Sequence, residues 1–248
     1  MTAINRPELL VLVRHAKSLR EEVKGKDPFY RAGDEAAMRI QHIPDHEMPI
    51  ADPYGVEQSQ LTGIGIVRDY GVFDVAYDSG YRRTIQTRVG SLEAYTPEDR
   101  ARIQIRSNPM LRERESGYTY FMTAEEVATA FPWLLGQVKD QGYFYFRPPG
   151  GKSHADLCDQ VYPFIHDELF QIQAGKRVII FSHAGTIGIM RLHLEEWTID
   201  QWEHMLRTDP TKNCSVTVYR YSSTTRRLEL ECYNKVYWKE ENGIVVPA

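Results

Sequence analysis

Two continuous apolar runs, Leu9-Leu10-Val11-Leu12-Val13 and Val178-Ile179-Ile180-Phe181, each lead within two residues to a histidine, His15 and His183. Short runs of this kind, without polar alternation, read as strands buried on both faces, the habit of parallel sheets covered by helices. Val75–Asp78 and Ile103–Arg106 are shorter strand candidates. Helical patterns fill the intervals: Thr62–Tyr70, Tyr81–Ala94, Ser153–Ala174 with Ser153 as N-cap, and Thr186–Leu194. This alternation predicts an α/β fold, a three-layer α/β/α sandwich with a mostly parallel central sheet. Cys214–Tyr221 and Arg227–Tyr233 alternate in polarity around Ser-Ser-Thr-Thr-Arg and are expected to pair antiparallel at the sheet edge.

Two stretches break the pattern. Residues 18–60 are polar and carry Pro28, Pro44, Pro49 and Pro53, and residues 112–151 are rich in Tyr, Phe and Trp. Long insertions in a compact domain often act as lids. We therefore expect one domain over residues 1–248 with a small lid built from both. The aromatic cluster Tyr118, Tyr120, Phe121, Phe131, Trp133 and Tyr143–Phe146 fits either the core of that small lobe or an apolar wall over a pocket.

Composition narrows the partners. The 248 residues hold 30 Lys plus Arg against 34 Asp plus Glu, a net charge of −4 that argues against general nucleic-acid binding. There is no run of 18 apolar residues, and Met1–Glu8 lacks the basic and apolar regions of a signal peptide, so neither membrane nor export is expected. The three scattered cysteines, Cys158, Cys214 and Cys232, suit a cytoplasmic, reducing compartment rather than a disulfide framework or a cysteine zinc site.

In open α/β sheets, ligands bind beyond the carboxyl ends of the strands. Arg14-His15 and Ser182-His183 are both expected there, and the helix after His183 offers backbone N–H groups to an anion. Ser79 to Thr87 follows another strand and adds Arg83, a planar fork suited to phosphate. Leu111 to Gly117 follows the strand near Ile103 and brings Glu113, Arg114 and Glu115. Arg82 reads as a surface charge. Gly150-Gly151-Lys152-Ser153 has the end of a phosphate-binding loop, but Phe146 occupies the place of its first glycine. His42 and His46 have metal-site spacing, yet Pro44 between them makes a surface loop the simpler reading.

Taken in order, these segments resemble the histidine phosphatase superfamily in its phosphoglycerate-mutase-like branch. The opening Arg-His-Gly motif is matched by Arg14-His15-Ala16 and the Ser-x-x-x-Arg-x-x-Gln-Thr motif by Ser79, Arg83, Gln86 and Thr87. The acid motif is matched by Glu113 and Gly117, and the Ser-His-Gly-Gly-Thr motif by Ser182-His183-Ala184-Gly185-Thr186. The resemblance implies His15 as a nucleophile that becomes phosphohistidine, with Arg14, Arg83 and His183 around the phosphoryl oxygens. It implies Glu113 as the general acid and base. Ser18, Arg114 and Ala184 are expected to add substrate contacts. The partner is then a small organic phosphate, and no metal or cofactor is required.

Three departures stand out. Glu21 replaces an asparagine that many members carry, and its charge should repel phosphate, leaving Arg20 or Lys17 as substitutes. Ala16 and Ala184 replace glycines and narrow the backbone freedom there. Glu115 competes with Glu113 for the acid role. Phosphate monoester hydrolysis is the expected reaction, because Leu19-Arg20-Glu21 and Ser116-Gly117-Tyr118 stand where the resemblance implies Trp-Asn and Tyr-Gly-x-Leu stretches in mutases. A phosphoglycerate-type mutase and a weakly active phosphate-binding regulator remain the alternatives.

Overall fold

The computed structural model describes residues 5–25 and 27–248. Met1–Ile4, the beginning of the segment read for an export signal, lie outside the described residues, as does Lys26. A six-stranded sheet runs in the order β3-β2-β4-β1-β5-β6. Its strands are β1 (Leu9–Arg14), β2 (Val75–Asp78), β3 (Gln104–Ser107), β4 (Arg177–Ser182), β5 (Val216–Ser222) and β6 (Arg227–Lys235). Strands β3, β2, β4 and β1 are mutually parallel, while β5 and β6 join antiparallel. The two apolar runs are the central neighbours β1 and β4, paired from Leu9–Arg177 to Arg14–Ser182.

Side chains alternate across this sheet and feed two cores. Leu10, Leu12, Val178 and Ile180 pack on one face, against α8 (His154–Pro163) and α9 (Ala184–Leu194). Leu9, Val11, Val13, Ile179 and Phe181 pack on the other, with Ile66 of α3 (Tyr54–Tyr70) and Leu92 of α4 (Arg82–Leu92). The result is the expected three-layer α/β/α arrangement. Helices α3 and α4 touch backbone to backbone: a Cβ on Gly63 would lie 2.1 Å from the Ser91 carbonyl oxygen.

Several boundaries differ from the sequence reading. α3 starts at Tyr54 rather than Thr62, inside the segment read as an irregular insertion. Its first turns look like a loop because they hold Gly55, Gln58, Ser59 and Gln60, but Gln58 is buried and accepts from the Lys17 N–H at 2.9 Å. The rest of that insertion folds α1 (Leu19–Lys24) and α2 (Glu35–Ile40), capped by Ser18 and Asp34. The second insertion holds α6 (Ala124–Ala130) and α7 (Leu134–Gln141), after α5 (Pro97–Arg102). The long helix expected over Ser153–Ala174 does begin at a Ser153 capping box, but beyond Pro163 it continues as a π-helical segment, Phe164–Ile172. Proline has no N–H to give the carbonyl four residues back, so the α register is broken at that point. The chain then adds α10 (Ile199–Thr208) and a hairpin, β7 (Trp238–Glu241) with β8 (Ile244–Pro247). The aromatic cluster divides: Tyr120, Phe144 and Phe146 are buried, whereas Tyr118, Phe121, Trp133, Tyr143 and Tyr145 are exposed.

Candidate active site

The parallel strands point their carboxyl ends at one edge, and the β1–β4 register sets the two histidines side by side. The His15 N–H donates to the Ser182 carbonyl at 2.9 Å, extending the ladder by one residue. The His15 and His183 rings lie 5.2 Å apart between centroids in an edge-to-face arrangement. Both are almost wholly buried, with relative exposures of 5% and 0%.

His15 has a defined tautomer. Its Nδ1 lies 2.7 Å from the Ala16 carbonyl oxygen, which can only accept, so Nδ1 carries the proton and Nε2 keeps the lone pair. Burial lowers the His15 pKa well below 6.5; Glu21 pulls it up, and Arg83 and Arg14 push it down again. The ring is therefore neutral at physiological pH. Arg14 pairs with Glu21, and its other Nη donates to the Thr211 carbonyl at 2.6 Å. Burial pushes the Glu21 carboxyl up, but Arg14, His15 and two bonds from Ser18 outweigh it and hold it below the usual range. Asn213 donates to the His15 carbonyl and to Glu21, both at 3.2 Å.

His183 depends on Ser79, whose hydroxyl lies 2.8 Å from its Nε2. Its buried Nδ1 has no partner among the described residues. Burial, with the positive charge of Arg83 nearby, holds its pKa far below 6.5. Ser79 itself is set by the turn after β2: Asp78 accepts from the Gly80 N–H at 2.8 Å and pairs with Arg88 at 2.8 Å.

Arg83, on the first turn of α4, is buried against the first insertion. Its Nη1 donates to Asp45 twice, to the carbonyl at 2.6 Å and to the carboxylate at 2.9 Å. Gln86 accepts from the Ile50 N–H, and Thr87 accepts from the Ala16 N–H, so the α4 motif also ties down both loops beside it. Glu113 accepts from the Gly185 N–H at 3.0 Å and the Arg114 N–H at 2.8 Å, one bond per carboxylate oxygen. Gly185 is forced by this contact, since a Cβ there would lie 2.3 Å from the Glu113 carboxylate. Gly117 is forced as well, with φ of 59° and Pro149 and Gly151 crossing over it. Ala16 and Ala184 do not have positive φ, so alanine fits both places without backbone strain.

Arg14, His15, Ser18, Arg83, Glu113 and Arg114 line one cavity of about 160 Å³. Arg20, Glu21, Asp45, Met48, Ser116 and Tyr120 complete its wall. Ser18 faces it while capping α1, and Arg114 also donates to the Lys152 carbonyl at 3.0 Å. Ala184 and His183, both expected to contact the phosphate, are not among the lining residues, and the Gly185 N–H at the start of α9 is taken by Glu113. Glu115 turns away to pair with Lys152 at 3.0 Å. Arg82 is exposed, as read from the sequence. Asp45, in a single 3₁₀ turn (Asp45–Glu47), and Thr211 and Asn213, in the loop before β5, carry no periodic signal.

A consequence for stability follows from the buried rings. His154, beside Arg114, is also held low, to about 3, mainly by burial. An unfolded chain protonates these three histidines below pH 6.5 while the folded one does not, so stability is complete above 6.5 and falls as pH drops towards the depressed values. Each contributes up to about 1.4 kcal/mol per pH unit. Urea denaturation at pH 7.5 and 5.5 should show a loss of about 2–4 kcal/mol; equal midpoints would contradict it.

Known proteins share this fold and part of this sequence. The chain is 28% identical over 197 residues to a 2,3-bisphosphoglycerate-dependent phosphoglycerate mutase of Parvibaculum lavamentivorans, covering 79% of this chain and 83% of the relative. It is 26% identical over 222 residues to the same kind of enzyme from Rhizobium etli, covering 89% and 94%. In fold it matches the alpha-ribazole phosphatase of Shigella flexneri with a TM-score of 0.69 at 15% identity, over 92% of this chain and 96% of that one. A mycobacterial glucosyl-3-phosphoglycerate phosphatase complexed with VO3 matches with a TM-score of 0.62 at 16% identity, over 92% and 99%. Residues 10–234 match the model of the histidine phosphatase superfamily, branch 1, and the chain belongs to that family.

Proposed function

We propose that this protein hydrolyses phosphate monoesters of small organic molecules through a phosphohistidine on His15. The observation that carries the reading is the His15 tautomer: Nδ1 is committed to Ala16, which leaves Nε2 unprotonated in a pocket lined by Arg14, Arg83 and Glu113. Nε2 attacks phosphorus and the ester P–O bond breaks. The departing oxygen takes a proton from the Glu113 carboxyl group. Glu113 then takes a proton from water, whose oxygen attacks phosphorus. The P–N bond breaks, its electron pair returns to Nε2, and inorganic phosphate leaves. Arg14 and Arg83 stabilise the charge on the transferring oxygens. Thr84 gives its hydroxyl proton to the Tyr81 carbonyl, so Ser79 donates to Thr84 and accepts from His183 Nε2–H, which leaves the orphaned Nδ1 of His183 an acceptor.

A mutase is the second reading, favoured by the names of the curated relatives. p-Nitrophenyl phosphate separates the two. Steady release of phosphate without a bisphosphate primer supports the hydrolase, and strict dependence on such a primer supports the mutase. Glu21 bears on the same question, because it occupies Arg14 inside the pocket and repels an incoming dianion. Glu21→Gln should lower KM for p-nitrophenyl phosphate by about five-fold or more, given charges a few ångströms apart. A raised KM would mean that Glu21 assists binding by orienting Arg14.

A further inference from the structure

A second cavity, of about 490 Å³, opens at the other pole of the molecule. It is lined by Arg6, just before β1, by His166 and Phe170 of the π-helical segment, by His193 and Trp197 at the far end of α9, and by Arg227 at the start of β6. These positions lie beyond the amino ends of the parallel strands, opposite His15 and His183. The volume falls within the roughly 300–1,000 Å³ of small-molecule sites. Its walls are aromatic: His166 and His193 meet edge-to-face at 4.8 Å, and His166 and Phe170 at 5.7 Å. Arg6, Arg227 and Glu196 leave it one positive charge in excess. The Arg6 guanidinium stacks on Phe170 at 3.6 Å, which fixes its plane, and the carboxylate of Glu196 pairs with Arg227 at 2.8 Å. The π register also matters, since such segments are uncommon and concentrate at functional sites.

We infer that this cavity binds a small planar anion, an aromatic ring carrying a phosphate. The ring stacks among the aromatic walls, and the phosphate meets Arg6 and Arg227. Neither the reaction proposed for His15 nor any residue of the catalytic pocket is needed for this binding. Adenosine 5′-monophosphate is a suitable probe, titrated by calorimetry into protein carrying both His15→Ala and Arg83→Ala, so that neither turnover nor the intact phosphate clamp of the catalytic pocket intervenes. Arg6→Ala and Arg227→Ala, added singly to that background, should each weaken binding about ten-fold. Adenosine and inorganic phosphate should each bind at least about ten-fold more weakly than the probe. Thermal melting of each variant checks its fold, and the two arginine variants are independent of one another. Several results overturn the inference: no binding at millimolar probe, binding unchanged by both Arg6→Ala and Arg227→Ala, or adenosine or phosphate alone binding as tightly.

Discussion

His15→Ala is expected to reduce p-nitrophenyl phosphate hydrolysis by at least about 10³-fold, the largest effect of any single change in this protein. Removal of one transition-state donor in comparable sites costs about 10²–10³, and removal of the nucleophile costs more because no other group forms the covalent bond. Arg14 and Arg83 are held by Glu21, Thr211 and Asp45 and not by the His15 side chain, so the phosphate clamp survives the substitution. Inorganic phosphate should therefore still bind, within a few-fold of wild type. A variant that keeps wild-type turnover would remove His15 from the chemistry. Equal, negligible rates for both proteins would sink hydrolysis of this substrate and favour a phosphate-binding role.

Glu113→Gln should produce the second-largest effect, about 10²–10⁴-fold, and the effect should depend on the leaving group. Glutamine keeps the shape but has one acceptor oxygen, so it can keep only one of the bonds from the Gly185 and Arg114 N–H groups, and it carries no acidic proton to give. An alkyl phosphate needs that proton as its oxygen departs, whereas p-nitrophenolate leaves without it. Thus kcat/KM, which reports phosphoryl transfer to His15, should fall by this amount for an alkyl phosphate and by less than about ten-fold for p-nitrophenyl phosphate. The second step uses the same carboxylate on water, so kcat should fall for both. An equal loss of kcat/KM on the two substrates would argue that Glu113 positions the loop instead of transferring a proton.

How much of this was legible beforehand depends on which physical signal each element carries. β1 and β4 were readable because a parallel strand covered on both faces has no polar positions, and their histidines follow at fixed offsets. α3 was truncated because its first two turns pack glycine and polar side chains against the loops, which hides the apolar period. The π-helical segment could not be read at all: Pro163 signals a break but not the register adopted after it. The residues brought together around the pocket were found through motif spacing, and the two required glycines, Gly117 and Gly185, have steric reasons in the structure. Asp45, Asn213 and Thr211 were missed because loop paths, not periodicity, bring them to Arg83, His15 and Arg14. Glu21 was read correctly as a departure but only as a repulsive one; its pairing with Arg14 required the fold of α1 and the Ser18 cap.

Chemical trapping is the most direct test of the central claim. Wild-type protein mixed with an excess of p-nitrophenyl phosphate and quenched in alkali within one turnover should carry a phosphoryl group on His15, located by peptide mass spectrometry. The adduct should be stable in alkali, labile in acid, and absent from His15→Ala. Hydrolysis at full rate with His15 unmodified, or with the phosphoryl group on another residue, would contradict the account.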